Sequence, residues 1–184
     1  MKIRFNETKA TQAAARFLSL RGGQMSYMKL IKLLYIVDRQ ALLRWGRPVK
    51  TDRYVSMDRG PVLTHTLELI TGGVPPNQRS VWADHISEPE HYQVWLHTEA
   101  GTDELSDAEI ALIEEVFAKY GAMNRWKIVN LVHTFPEWQN PDGSAIPISY
   151  SDILKAGGNT DLEVAAIEGE LENLAAADLL LPAK

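Results

Sequence analysis

The chain has 184 residues, 45% hydrophobic and 23% charged, a globular mixture rather than a disordered one, and enough for one domain that buries roughly 70% of its unfolded surface. Cysteine is absent, which excludes disulfides, thiol nucleophiles and thiolate metal sites. The net charge of −5 conceals two opposite segments: residues 1–60 hold 13 Lys and Arg against 4 acids, while residues 61–184 hold 6 against 20. Such asymmetry fits a nucleic acid, a charged partner, or two faces that attract each other within the fold. A dedicated nucleic-acid domain is usually basic overall, and this chain is not. No apolar run reaches the roughly 18–20 residues that cross a bilayer, and Asn6, Glu7 and Lys9 interrupt any signal-like stretch. The expectation is a soluble, cytoplasmic protein in a reducing compartment.

Helical periodicity begins with Ala10, Ala13, Ala14, Phe17 and Leu18 and ends at Gly22–Gly23. Ser26 is placed to cap a second helix over 27–44, with Met25 and Leu30 as a hydrophobic staple. That helix is apolar on most sides, which predicts a central, buried position. Its exceptions, Lys29, Lys32, Asp38 and Arg39, therefore carry the information. Pro48 and Tyr54–Met57 read as extended, and Pro61 after Gly60 suits the first turn of a third helix over 61–71. Weak alternation near 80–86 and 92–98 predicts an antiparallel β-hairpin around Ser87–Glu90. Ser106 and Glu109 form a capping box for a helix reaching Tyr120. Asn124 caps a short helix with Trp126, Ile128, Val129, Leu131 and Val132 as its interior, stopped by Pro136. Ser149 caps another, and Thr160 with Glu163 opens a long acidic helix ending at Pro182. The fold class is mainly α: about seven helices with a small hairpin in one compact domain.

Familiar catalytic patterns are missing. The glycine pairs have neither dinucleotide-binding nor phosphate-loop spacing, and neither HExxH nor GxSxG occurs. His85, His91 and His97 are six residues apart, so on a strand His91 and His97 would share a face, as a metal site requires. Solvated hairpin histidines are the plainer reading, and neither metal nor cofactor is expected. His65 and His133 lie in helical segments with no carboxylate at a diagnostic spacing. Asp38–Arg39 and Asp52–Arg53 place acids beside guanidiniums, as an enzyme site does, but equally suit a structural charge network.

The specific part of the chain is Lys29–Val62. It reads KLIKLLYIVDR from Lys29, WGRPV from Trp45, DRYVSM from Asp52 and GPV from Gly60. This succession resembles the Panacea domain, an antitoxin family associated with phage proteins and formerly a domain of unknown function. The resemblance is clear over about 10–75 and continues through Trp126, His133 and Trp138 to about 140. It suggests a Panacea-like domain over 1–140 with a helical extension, 141–184, packed on it. The implied function is neutralisation of a cognate toxin by protein–protein contact, in some relatives by delivery to a housekeeping protease. The family pattern implies no catalytic residue.

Its recurrent residues have ready physical roles. Gly46 and Gly60 suit turns with positive φ, and Pro48 and Pro61 fix the backbone after them. Asp38 in an apolar helix demands a partner, with Arg53 and Arg47 the candidate arginines. Lys29 and Asp52 complete the structural set. Tyr35, Arg39, Tyr54 and Trp138 are the candidate toxin-binding anchors, being the residue types that dominate interfaces. A transcriptional autoregulator using the first two helices as a helix-turn-helix is the alternative, and an enzyme the weaker third. Self-association into a homodimer is compatible with either.

Overall fold

The computed structural model describes residues 4–72 and 79–180. Within them lie eight helices: α1 (Glu7–Leu20), α2 (Tyr27–Trp45), α3 (Thr64–Ile70), α4 (Val81–His85), α5 (Asp107–Tyr120), α6 (Arg125–Val132), α7 (Tyr150–Ala156) and α8 (Asp161–Leu180). Five short strands accompany them: β1 (Gln24–Ser26), β2 (Tyr54–Met57), β3 (Gly60–Leu63), β4 (Gln93–Trp95) and β5 (Ile146–Ile148). The architecture is mainly α, as expected, with two small antiparallel sheets ordered β1-β4 and β3-β2-β5.

Helix α2 is the axis of the core. Leu30, Leu33, Leu34, Tyr35 and Val37 are fully buried, and α1, α5, α6, α7 and β3 pack around them. A helix apolar on most sides can only be accommodated this way, because each face must leave water. Gly46 closes it in the left-handed conformation, φ 70°, its N–H returning to the Leu42 carbonyl. The caps at Ser106, Asn124, Ser149 and Thr160 form as their spacing predicts. Residues beyond 140 are joined to what precedes them, since β5 pairs with β2 and α7 packs on α2.

Three local expectations are corrected. The hairpin is β2–β3, turning at Asp58–Arg59, whereas 81–85 is helical and β4 pairs chiefly with β1. The two segments first read as a hairpin still meet antiparallel at the isolated Ile86–Leu96 bridge, with the Ser87 N–H donating to the Trp95 carbonyl and the His97 N–H to the His85 carbonyl, but form no strand pair. The third helix begins at Thr64, because Gly60–Leu63 is a strand. Pro61 is tolerated there since β3 lies at the sheet edge, where no ladder donor is needed. Leu63 cannot cap α3. Asp52, far upstream, does so by accepting from the His65 and Thr66 N–H groups at 2.9 Å each. Finally, Ser26 precedes α2 as expected, but its side chain makes no cap hydrogen bond.

Candidate functional site

Beneath the motif segments runs a set of buried polar contacts. Asp38 is buried, as expected, but its partner is neither Arg53 nor Arg47, both of which are exposed. The Lys50 ammonium donates to Asp38 Oδ1 at 2.9 Å, the Lys50 N–H to the same oxygen at 3.0 Å, and the Tyr54 hydroxyl to Oδ2 at 3.1 Å. Pro48, Val49 and Lys50 are buried in succession, which brings both Lys50 donors to the Asp38 carboxylate. Burial pushes the Asp38 carboxyl up, and the Lys50 charge pulls against it. Burial, then the neighbouring Asp38 charge, holds the Tyr54 phenol far above its ordinary range.

A second contact set joins α2 to the segment after α6. Glu137, itself buried, accepts from the Tyr35 hydroxyl at 2.9 Å and from Arg39 Nε at 2.7 Å, while the guanidinium lies over the Phe135 ring at 4.4 Å. Lys32 donates to the Pro61 carbonyl at 2.7 Å, and desolvation lowers its pKa to about 7. Asp52 accepts from Thr66 Oγ1 at 2.7 Å and lies 3.1 Å from His65 Nδ1. These carboxylates act as ties between elements. They line none of three open clefts: the ones beside Tyr92, beside Trp45 and beside Arg21.

The four expected anchors therefore divide. Tyr35 and Tyr54 have 0% and 3% exposure and meet edge-to-face in the core, so neither presents surface to a partner. Arg39 is largely taken up by Glu137 and Phe135. Trp138 remains partly exposed, its ring stacked on His133 at 4.1 Å and its Nε1–H donating to the Met57 carbonyl at 3.1 Å. Burial and the nearby Lys32 charge lower the pKa of His133.

Trp138 leads to an exposed band that the sequence reading missed. Met57 is 37% exposed at the end of β2, Trp126 is 49% exposed in the first turn of α6, and Tyr92 is 58% exposed before β4. Guanidiniums join them: Arg59 lies 5.8 Å from the Trp126 ring centroid, and Arg125 lies 5.2 Å from Trp126 and 5.8 Å from Tyr92. Trp126 was expected inside its helix. It stands in the first turn of α6, three residues before buried Val129, and is 49% exposed all the same. The hairpin turn is held against α6 by close packing at Gly60, φ 97°, where a Cβ would come within 2.6 Å of Val132 Cγ2. Gly60 is therefore required twice, for its conformation and for its missing side chain.

The Antitoxin SocA-like, Panacea domain family matches residues 30–139, more than half of the chain. The chain belongs to that family. No curated protein and no solved structure gives a significant match. The Panacea domain thus contains most of α2, the β2–β3 hairpin, α6, the buried ties and the whole exposed band. Its α2 is the core, not an exposed recognition helix, which removes the surface that a helix-turn-helix would lay in a DNA groove. Among the described residues no group of three His, Asp or Glu is placed to hold a metal ion, and no helix is long and apolar enough to cross a membrane.

Proposed function

We propose that this protein is an antitoxin that neutralises a toxin encoded beside it by direct contact, with the band of Met57, Arg59, Trp126 and Trp138 as the anchor surface. Membership of the antitoxin family supports a binding role rather than catalysis. The observation that carries the surface is the exposure of Trp126 and Met57 next to Arg59, within the matched domain. Tryptophan and arginine in such clusters supply most of the energy of protein interfaces, and truncating one costs about 2 kcal/mol or more. Covering Trp126 and Met57 with a partner removes apolar area from water, which contributes about 25 cal/mol per Å². Capture can end in sequestration or in transfer of the toxin to a housekeeping protease, the route that the family resemblance suggests.

The test is co-expression with the adjacent toxin frame, followed by pull-down, toxin half-life and growth rescue. Wild type is expected to co-purify with the toxin and rescue growth. Trp126→Ala and Arg59→Glu are expected to lose both while keeping the wild-type melting temperature. A shortened toxin half-life identifies protease transfer, and an unchanged one identifies sequestration. Rescue by a wild type that never contacts the toxin overturns the reading.

A further inference from the structure

An open cleft of about 680 Å³ lies where the starts of α2 and α6 meet the turn after α1. Arg21, Lys29 and Arg125 line it, and no carboxylate does. This is a local reversal of sign in a chain whose net charge is −5. Arg16, Arg39 and Arg44 are each matched to a glutamate of another element. Arg21 and Arg125 have no carboxylate within ion-pair distance among the described residues.

Two further features give the cleft wall donors with room for a ligand. Ser26 occupies the cap position of α2, where a serine hydroxyl ordinarily accepts from the first-turn N–H groups. Here it makes no such bond, and its Oγ is buried with no hydrogen-bond partner. Leaving a buried hydroxyl unsatisfied is costly, and an acceptor in the cleft removes the cost. Lys29 is buried and donates to the Gly121 carbonyl at 2.5 Å, which uses one of its three N–H bonds. Burial and the neighbouring Arg21 charge both lower the Lys29 pKa, so the cations are held together against their mutual repulsion. Two helix N-termini, at Ser26 and Asn124, add their positive ends to the same wall.

We propose that this cleft is an anion site for the phosphoryl group of a small phosphorylated ligand, bound by Arg21, Arg125, Lys29 and the Ser26 hydroxyl. The guanidiniums supply paired donors that match phosphate oxygens, and lysine and serine supply single ones. The cleft volume falls in the range of small-molecule pockets, which favours a metabolite-sized ligand over a flat macromolecular contact. The site stands apart from the proposed toxin contact, except that Arg125 borders both, so Arg21 and Ser26 carry the discriminating tests.

Calorimetric titration of the full-length protein with pyrophosphate and with ATP at low ionic strength tests the site. Arg21→Glu, Arg21→Ala and Arg125→Glu are expected to weaken binding about tenfold or more, and Ser26→Ala by several-fold. Arg53→Glu alters net charge equally at an exposed position outside the cleft lining and is expected to leave affinity unchanged. Equal losses in Arg53→Glu and Arg21→Glu would make the attraction a general charge effect and overturn the proposal. Absence of pyrophosphate and ATP binding by folded wild type overturns it too. So does a single-stranded oligonucleotide that binds where both small ligands fail. Retention of toxin rescue by Arg21→Ala, with phosphate binding lost, supports two separate sites.

Discussion

Asp38 and Lys50 form a fully buried ion pair in which each charge needs the other. Burial raises the Asp38 pKa, so the pair survives on the two Lys50 donors and the Tyr54 hydroxyl. Asp38→Ala leaves the Lys50 ammonium with only the Leu34 carbonyl, at 3.3 Å, and is expected to cost about 3–5 kcal/mol in urea unfolding. Replacing both partners, as Asp38→Leu with Lys50→Met, is expected to recover most of that loss, because no unpaired charge remains. Lys32 has a different signature. Its folded pKa, about 7, lies below the ordinary lysine value of 10.5, so between these limits the unfolded chain holds a proton that the native protein has released. Stability from this residue is therefore complete above the unfolded pKa and is lost as pH falls through about 7. Unfolding free energy is expected to climb with pH across this window, by about 1.4 kcal/mol per unit at its steepest, and Lys32→Met is expected to flatten the climb. Urea midpoints of both proteins across that range measure the difference. Identical slopes would mean that Lys32 stays charged in the fold.

Legibility from sequence follows how local the governing contacts are. Helices α1, α2, α5, α6, α7 and α8 were visible because their caps and periods lie within a few residues, as in the box of Ser106 and Glu109. The buried character of Asp38 was visible too, since a carboxylate in an apolar helix admits few alternatives. What failed depended on distant residues. Helix α3 takes its cap from Asp52 rather than from its own N-terminal neighbour, so no local signal marks Thr64 as its start. Gly60–Leu63 pairs with β2, and its proline is allowed only because β3 is an edge, a fact of topology. Asp38 chose Lys50 over arginine because the loop brings Lys50 back with both its backbone and side-chain donors on one oxygen. At the surface, Tyr35 and Tyr54 had the right residue type but the wrong environment. Trp126 shares a helical face with buried Val129 and is exposed all the same, because it lies in the first turn of α6, so neither its type nor its phase marked it.

Across the whole molecule, the charge asymmetry is partly consumed by the fold. Lys9–Glu109, Arg16–Glu114, Arg39–Glu137 and Arg44–Glu115 each join the basic first 60 residues to the acidic remainder. Helix α8 is different. Asp161 pairs with Lys155, and Glu163 completes the cap with Thr160, but Glu168, Glu170 and Glu172 have no cation within ion-pair distance among the described residues. Their field extends into solvent for about a Debye length, and under the proposed function it would act on the toxin before contact. A basic toxin would then be drawn by α8 and held by the aromatic–arginine band, two contributions that separate kinetically. Replacing Glu168, Glu170 and Glu172 together by glutamine is expected to slow association by about tenfold at low salt while leaving dissociation nearly unchanged. The same variant is expected to lose most of the salt dependence of the association rate. Trp126→Ala should do the reverse, speeding dissociation with little change in association, because its contribution is desolvated contact and not long-range field. Stopped-flow mixing of purified toxin and antitoxin over a range of ionic strength distinguishes the two. An association rate that ignores salt in wild type would deny α8 any steering role, and a charge-neutral α8 that dissociates faster would make that helix part of the contact itself.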